Sequence, residues 1–583
     1  MSNRTGWRAR RRRFLDRFHA WAATRSRPAT GFVSHPEPRS IGRVARGRQL
    51  CAGNLMFAGH LVEAPGSSPW ALDPPDAAFA EELHGFTWLD DLAATGDREA
   101  RATAQAWLWD WIARYGRGRG PGWTPDLTGR RVIRWISHAI FLLQGQDARA
   151  QEAFFRALAG QTAFLGRRWS TAPAGLPRFE ALTGLLQASL SLTGMEQHRA
   201  PALAGLEREC RARIDPQGGI PGRNPEALME VLALLTWASE ALQEAHRAPG
   251  PAHDVAISRI VPVLRALRHA DGGLARFHGG GRGAEGRLDR SLAAAGTRRR
   301  PLEGLAMGFA RLSAGRTSLI VDAAPPPAGR HSTEAHASTL AFELTSGRRP
   351  LIVNCGSGES FGSEWRRASR ATASHSTLAL EGYSSARFGK PGQGAAAERP
   401  QLHDLPRHVP VQISRTEAGT RFEGGHDGYV ATHGLTHART LELGLDGRGL
   451  AGEDMLLAME DAHKRRFDKA LDAARLQGLA FSIRFHLHPD TDAELDMGGN
   501  AVSVALRSGE IWVFRHDGTA TLALEPGVYL EKGRLRPRAT QQIVLSGRAM
   551  EYATRIRWSL AKAQDTPVAL RDLTEDKDVE TIF

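Results

Sequence analysis

The chain has 583 residues, 42% of them hydrophobic and 24% charged, with a formal net charge of +13. This length allows two or three domains, each with its own core, and the composition is that of an ordinary soluble globular protein. The three cysteines, Cys51, Cys210 and Cys355, lie far apart in the sequence. Their number and spacing argue against both a disulfide framework and a cysteine metal site.

The excess positive charge favours a polyanionic partner. Most of it comes from arginine, whose guanidinium group pairs bidentately with carboxylate, sulfate or phosphate. The sequence has no zinc-finger spacing, no recognition-helix pattern and no repeat that interleaves basic and aromatic residues. An acidic glycan is therefore the expected partner, ahead of nucleic acid.

The first strongly patterned segment is the basic stretch 10–18. It faintly resembles a twin-arginine export signal, but Asp16, Arg17 and His19 interrupt the apolar segment that should follow. We therefore predict neither a cleavable signal nor a transmembrane span. A basic amphipathic helix, lying on the protein or on an acidic surface, is the preferred interpretation.

Three equally spaced glycines, Gly96, Gly145 and Gly194, mark a repeat. Each follows an apolar helical stretch, at the C′ position where glycine adopts the left-handed conformation at low cost. A second helix follows each glycine, and one more pair fits the sequence after them. The predicted helices after the glycines and the last pair are 98–114, 148–168, 197–213, 225–246 and 252–269. Paired helices at a fixed period predict a solenoid or a closing α/α toroid, with the more apolar first helices on the inside.

The predicted secondary structure changes after a linker rich in glycine and arginine. Beyond residue 304, short alternating strands separated by glycine, proline and aspartate turns predict an antiparallel β-sandwich. The predicted fold class is α+β multidomain, an N-terminal incomplete α/α toroid of helical hairpins followed by a C-terminal antiparallel β-sandwich. The predicted domains are a basic extension 1–75, a toroid 76–270, a linker 271–303 and a sandwich 304–583.

The segment 331–388 is the most informative for function. We predict strands over 336–344 and 350–356, followed by a basic loop and the stretch 370–380. Pairing these strands would bring His336, Asn354 and His375 together. Two imidazoles and an amide at one end of a sheet predict a shared polar site.

These motifs resemble the heparinase II/III family of polysaccharide lyases. The resemblance rests on Glu334-Ala-His336, Asn354-Cys-Gly356 and His375-Ser-Thr-Leu378, with His426–Tyr429 and His437–Arg439 further along. It implies a toroid and a β-sandwich, cleavage of uronic-acid glycans by β-elimination, and a location in the periplasm or cell envelope. Because no convincing signal peptide is seen, a cytoplasmic location stays open.

The resemblance also implies residue roles. Asn224 would neutralise the substrate carboxylate, which is the largest requirement of the reaction. His336 and His375 would act in catalysis and, with Asn354, bind zinc. Asparagine stands there in place of the family's aspartate, which removes a negative charge and a good ligand. The family's catalytic histidine falls on Glu334.

The family's catalytic tyrosine has no counterpart in the helical half, where Tyr115 is the only tyrosine and is misplaced. Other residues would then have to act, and the candidates are Glu334, His278 and Tyr429. Substrate-binding candidates are polar or aromatic residues at helix starts or near the key strands: Arg223, Arg178, His84, His138, Arg370 and Tyr429. Each has an ordinary alternative as a helix cap, a solvated charge or a core side chain.

Several further residues carry weaker signals. Trp88, Trp135 and Glu180 lie near predicted inner-helix starts, where the ordinary interpretation of the tryptophans is core packing. His486 and His488 share a strand face but have no evident third ligand, so a structural role is preferred. Other residues placed at the margin of the site are Arg366, Arg367, Asp322, His426 and Asp427.

Three functional hypotheses follow from these observations. The first is a lyase that cleaves an acidic glycan by β-elimination. The second is a non-catalytic protein on a lyase scaffold that binds acidic glycan or assists assembly of envelope polysaccharide, supported by Glu334 and the missing tyrosine. A weaker third is a glycoside hydrolase using Glu180 and Glu226. The sequence leaves the oligomeric state open.

Overall fold

A computed structural model describes residues 2–33, 37–296, 304–389 and 399–565. The chain divides into two compact units. The first comprises Met1–Ile220, Glu226–Leu264 and Gly283–Pro301, and the second comprises Pro221–Pro225, Arg265–Arg282 and Leu302–Phe583. The predicted linker 271–303 thus contributes to both units, and its arginine run 298–300 lies outside the described residues.

The first unit is built mainly from helices, with one hairpin of strands β1 (Asn54–Phe57) and β2 (His60–Glu63). The helices up to residue 294 are Ser2–Ala23, Val44–Cys51, Ala77–Gly85, Trp88–Thr95, Arg98–Tyr115, Pro125–Ser137, Ala139–Leu143, Ala148–Arg168, Leu176–Ser191, Arg199–Arg213, Pro225–Glu244, Pro251–Ala266 and Arg287–Ala294. No helix in the described part of the chain is long and apolar enough to cross a bilayer.

The helix boundaries follow their sequence signals. Gly96, Gly145 and Gly194 have φ values of 70°, 77° and 88°, the left-handed conformation expected after a helix. Asp97 and Asp147 cap the helices that follow, because each side chain accepts a backbone N–H three residues later. The predicted pairing of helices is therefore confirmed.

Two inner helices, Pro125–Ser137 and Leu176–Ser191, approach each other through glycine. A Cβ on Gly184 would lie 2.7 Å from the Cα and carbonyl oxygen of Gly129. Such a distance leaves no room for a side chain at this crossing. Residues 179–191 are all buried, as a helix surrounded by others requires.

The second unit contains the remaining strands in two antiparallel sheets and one small hairpin. They are β3 Phe309–Ala314, β4 Thr317–Asp322, β5 Phe342–Ser346, β6 Arg349–Val353, β7 Leu378–Leu380, β8 Arg387–Phe388, β9 Leu402–His403, β10 Val411–Arg415, β11 Gly419–Tyr429, β12 Leu435–Gly444, β13 Gly449–Leu457, β14 Leu479–Leu487, β15 Thr491–Asp496, β16 Ala501–Leu506, β17 Ile511–His516, β18 Thr521–Tyr529, β19 Arg538–Ala549 and β20 Ala553–Gln564. Short helices lie at Ser363–Ala368, Val430–His433 and Asp461–Ala473.

One sheet has the order β10-β11-β12-β13-β20-β17-β16-β15, and the other has β18-β19-β14-β6-β5-β4-β3, with β7 pairing to β14. Alternate residues of β12 are buried, so this strand presents one apolar face. The core lies between the sheets, where Phe342 and Phe485 contact Trp558 with ring centroids 6.0 and 4.6 Å apart. This is the packing of a β-sandwich.

The predicted strand 336–344 is wrong in its first half. Strand β5 begins at Phe342, and residues 336–341 form a buried loop. Leu340 has φ 65°, which a strand does not allow. The loop satisfies its backbone elsewhere, since the N–H of Ala337 donates to the Arg370 carbonyl and that of Leu340 to the Asp322 carbonyl.

Candidate functional site

The second unit brings His336 and His375 into direct contact, as the sequence predicted. His336 Nδ1 and His375 Nε2 are 3.0 Å apart, and both residues are buried. His375 Nδ1 lies 2.8 Å from the Ala371 carbonyl oxygen, so this nitrogen carries the proton and donates. His375 Nε2 is then the acceptor, and His336 Nδ1 donates to it. Both imidazoles are neutral in this arrangement.

His278 and Asn224 join the same cluster. The backbone N–H of His336 donates to His278 Nδ1 at 3.2 Å, and Asn224 Nδ2 donates to the His278 carbonyl at 3.1 Å. A Cβ on the neighbouring Gly280 would lie 2.6 Å from Asn224 Oδ1, so a side chain there would displace the Asn224 amide. Asn224, His278, His336 and His375 therefore lie in one region of the second unit, although up to 151 positions separate them in the sequence.

 

Asp322 and Arg223 form an ion pair beside this cluster. Asp322 Oδ1 accepts from Arg223 Nη2 at 2.5 Å, and its Oδ2 accepts from Ser338 Oγ at 2.7 Å. The remaining donors of Arg223 go to backbone carbonyls of Met307, Gly308, Ala324 and Pro325. The predicted partner of a substrate carboxylate is therefore already paired with a carboxylate of its own chain.

Burial controls protonation here. It lowers the pKa of His375 to about 4, and the pKa values of His336 and His278 lie well below their usual range for the same reason, with neighbouring positive charge as a smaller cause. Within the described part of the chain His278 Nε2 makes no hydrogen bond, and it lies 3.5 Å from Asp322 Oδ2. All three imidazoles are neutral at neutral pH, and each is a weak base.

Asn354 does not complete a metal site. Its Oδ1 accepts the backbone N–H of Ser376 at 3.0 Å, and its buried Nδ2 has no hydrogen-bond partner among the described residues. The two histidines turn nitrogens toward each other, and the described residues contain no group of three His, Cys, Asp or Glu side chains that could hold a metal ion. The donor set present does not fit a resident zinc ion.

Glu334 lies at the edge of the cluster and forms ion pairs with arginine. Its carboxylate accepts from Arg366 at 2.9 Å and lies 3.6 Å from Arg399, and Glu359 shares both arginines. Burial, followed by repulsion from Glu359, raises the pKa of Glu334. The backbone of Glu334 also passes beside Gly279, where a Cβ would lie 3.5 Å from it.

Two predicted substrate-binding residues of this unit lie inside it. Arg370 is 2% exposed and donates to the backbone carbonyls of Ser332, Ala335 and Pro400, and burial lowers its pKa to about 10. Tyr429 is fully buried, and its hydroxyl donates to the Leu378 carbonyl. In this conformation both side chains are bonded to backbone carbonyls of their own chain.

The candidates of the first unit are likewise paired internally. His84 is packed between Trp70 and Tyr115 and accepts from Trp111 Nε1 at 3.1 Å. His138 Nε2 lies 2.8 Å from Asp90 Oδ1. The others bind nearby acidic or backbone groups or pack in the core: Arg178 pairs with Glu209, Glu180 with Arg130, Trp88 donates to Leu83, and Trp135 stacks on Phe154.

His486 and His488 contact different parts of the second unit. His486 Nε2 donates to the Ala373 carbonyl at 3.0 Å, and its Nδ1 faces Cys355 Sγ at 3.4 Å. His488 Nδ1 instead accepts the backbone N–H of Asp490. The two rings therefore serve different loops, and burial lowers the pKa of each to about 3.

Sequence reasoning missed two buried ionic networks. In one, Glu343 Oε2 contacts His269 Nε2 at 3.2 Å and accepts the backbone N–H of Arg276. A charged residue inside the apolar strand 342–346 was an available signal for it, because buried charges require partners.

The second missed network lies between the sheets. Arg439 and Asp454 are both fully buried and joined at 2.8 Å, and Asp454 also contacts His437 at 2.7 Å and Trp558 Nε1 at 2.9 Å. His437, Arg439 and Leu441 are every second residue of β12 and share its buried face. The period of two in the sequence could therefore have identified the two charged or polar members.

The sequence of this chain is similar to those of known proteins. A family model described as Heparinase II/III-like, C-terminal, matches residues 296–559. FtsZ-localized protein C of Caulobacter vibrioides (strain NA1000 / CB15N) is 30% identical over 547 residues, which cover 92% of this chain and 91% of that protein.

Two solved structures share the fold. A crystal structure of heparinase III matches 93% of this chain and 88% of its own, with a TM-score of 0.67 and 14% identity. The heparan sulfate lyase HepC mutant from Pedobacter heparinus matches 95% of this chain and 89% of its own, with a TM-score of 0.56 and 14% identity. The predicted α/α toroid followed by an antiparallel β-sandwich is confirmed, and the chain belongs to the heparinase II/III-like family.

Proposed function

We propose that this chain is a binding protein rather than an enzyme. It would be a heparinase II/III-like protein that associates with FtsZ and does not cleave a glycan. The observation that carries the proposal is the closed histidine cluster, in which His336, His375 and His278 are buried and bonded to their own chain. The name of the relative from Caulobacter vibrioides, which matches most of the chain, supplies the association with FtsZ.

The electrostatics of the cluster argue against turnover. A base that removes a C5 proton works best with a pKa near the operating pH. His375, with a pKa of about 4, would be a poor base at neutral pH. Burial also lowers the pKa of His336 well below its usual range. Arg223, which the sequence predicted to bind a substrate carboxylate, is already bound to Asp322.

The tyrosines give no replacement for the missing acid. Tyr115 packs against His84 in the first unit, Tyr429 is bonded to Leu378, and Tyr529 packs on His488. The other two lie at the surface, where Tyr383 packs on His433 and Tyr552 donates to Asp468. None of these contacts involves the cluster of His336 and His375.

β-Elimination of an acidic glycan is the second candidate function. Its supporting observation is that Asn224, Glu334, His336 and His375 lie around the same loop, Phe277–Gly280, of the second unit. In such a reaction Asn224 would neutralise the carboxylate, and a histidine would remove the C5 proton. Opening of the cluster on substrate binding would have to precede that step, because the rings are closed against each other.

One set of assays separates the two functions. The folded chain is incubated with heparan sulfate, heparin and chondroitin sulfate, and the ultraviolet absorbance of unsaturated uronates is followed, with the Pedobacter heparinus lyase as positive control. We expect no increase. Product formation that disappears in His375→Ala would overturn the proposal and establish the lyase.

Association with FtsZ is tested separately. Purified FtsZ of the same organism is immobilised, and binding of the full chain is measured by biolayer interferometry, while a fluorescent fusion is imaged beside labelled FtsZ in cells. We expect saturable binding or co-localisation in the same structures. Absence of both would reject the FtsZ part of the proposal, and an exclusively periplasmic fusion would favour the location implied by the family resemblance.

A further inference from the structure

The helix Ser2–Ala23 carries a row of aromatic side chains that the described residues leave exposed. Trp7, Phe14, Phe18 and Trp21 are 63%, 68%, 51% and 45% exposed. At about 100° per residue, these four positions fall within an arc of about 60° on the helix surface. Large apolar residues gathered on one exposed stripe usually mark an interaction surface.

The opposite side of the helix is fixed to the protein. Asp16, Ala20 and Ala23 are buried. Asp16 Oδ1 accepts from Arg168 Nε at 2.8 Å, which ties the helix to Ala148–Arg168. These buried positions lie about half a turn away from the aromatic stripe. The helix therefore cannot rotate to bury its aromatic residues without breaking this ion pair.

Arginines border the stripe. Arg10, Arg11, Arg13 and Arg17 are exposed, and no acidic side chain other than the buried Asp16 occurs between residues 2 and 23. The Arg11 guanidinium lies 5.7 Å from the Trp7 ring, and that of Arg25 lies 3.5 Å from the Trp21 ring. The exposed face is thus apolar along its middle and cationic at its sides.

We infer that this face binds the surface of an anionic lipid bilayer. Aromatic rings would enter the boundary between headgroups and acyl chains, and the arginines would contact lipid phosphates. A soluble polyanion would use the arginines, but it would leave two adjacent phenylalanines in water. A lipid surface satisfies both parts of the face, and it needs no transmembrane span.

The full chain is tested by co-sedimentation with vesicles of phosphatidylcholine alone and of phosphatidylcholine with one quarter phosphatidylglycerol. We expect binding to the anionic vesicles to be at least about 10-fold tighter and to weaken as salt is added. Equal binding to both vesicles, or no binding to either, overturns the inference. The assay contains neither FtsZ nor glycan, so its outcome is independent of the proposed function.

Two variants separate the parts of the face. Phe14→Ser with Phe18→Ser should weaken anionic-vesicle binding at least about 10-fold. Arg10→Gln, Arg11→Gln and Arg17→Gln together should weaken it roughly 100-fold. Phe14→Leu with Phe18→Leu keeps the apolar surface and should bind as the unmodified chain does, which guards against misfolding as the cause of a loss.

Matched controls come from exposed positions elsewhere. Ile140→Ser with Leu445→Ser removes two exposed apolar side chains, and Arg507→Gln, Arg555→Gln and Arg557→Gln remove three exposed charges. Both should leave vesicle binding within about 2-fold. If duplex DNA binds more tightly than the vesicles and the serine variant keeps its affinity, a nucleic-acid surface replaces the lipid surface.

Discussion

His336 donates a 3.0 Å hydrogen bond to His375, from the Nδ1 of one ring to the Nε2 of the other. Because His375 also donates to the Ala371 carbonyl, the direction of both bonds is fixed. Adding a proton to His375 Nε2 would place two donors face to face in a buried site. The pair therefore holds the loop 336–341 against the segment 371–375 in its neutral form.

A buried histidine of the first unit should make stability depend on pH. Burial, with Arg131 as a smaller cause, lowers the pKa of His84 from 6.5 to about 3. The unfolded chain then binds a proton below pH 6.5 that the folded chain does not, so the stability contributed by neutral His84 is lost as pH falls. Between pH 7 and pH 5 we expect this residue to cost about 2 kcal/mol.

The measurement is urea unfolding of the full chain and of His84→Leu at both pH values. The variant should show a smaller loss of stability on going to pH 5. His246→Asn serves as control, because His246 is exposed and its left-handed backbone suits asparagine. An unchanged pH dependence in His84→Leu would contradict the prediction.

Removal of one partner of the buried ion pair Arg439–Asp454 should be strongly destabilising. Asp454→Ala leaves the guanidinium of Arg439 without its counter-charge in a site that water does not reach. We expect a loss of about 3–5 kcal/mol in the free energy of unfolding. Glu152→Ala, which breaks an exposed pair with Arg156, should cost less than about 1 kcal/mol. Equal effects in the two variants would be inconsistent with the buried pair.

The glycine crossing of the inner helices should tolerate no side chain. In Gly184→Ala the new Cβ would meet the backbone of Gly129 at 2.7 Å, so the helices must separate at a cost of about 1–3 kcal/mol. Gly160→Ala is the matched helical control, since its Cβ would find Thr24 at 3.5 Å. That substitution should be neutral or stabilising by up to about 1 kcal/mol. Thermal unfolding that ranks the two variants the other way would disprove this packing.

Glu334 should limit binding of acidic ligands at the cluster edge, because it occupies Arg366 and Arg399. Glu334→Gln removes that charge and should tighten binding of a sulfated uronate oligosaccharide several-fold, as measured by calorimetry. Glu364→Gln, at an exposed position nearby in sequence, controls for the change in net charge. Identical affinities in the two variants would show that the arginines are not the contact.

The sequence alone determined the architecture. Glycine at equal spacing, aspartate caps and apolar periodicity specify local structure, so the helices on either side of Gly96 and Gly145 could be predicted. The meeting of His336 with His375 also followed, because each lies in a motif beside an apolar strand.

Only the tertiary structure decided which polar groups are free to act. Arg223, Arg370 and Tyr429 look available in the sequence, yet each is bonded to a carboxylate or to backbone carbonyls from distant segments. A side chain's partners depend on which loops fold against it, and burial then sets its pKa. Local sequence patterns do not contain that information, because the partner of Arg223 stands 99 positions away.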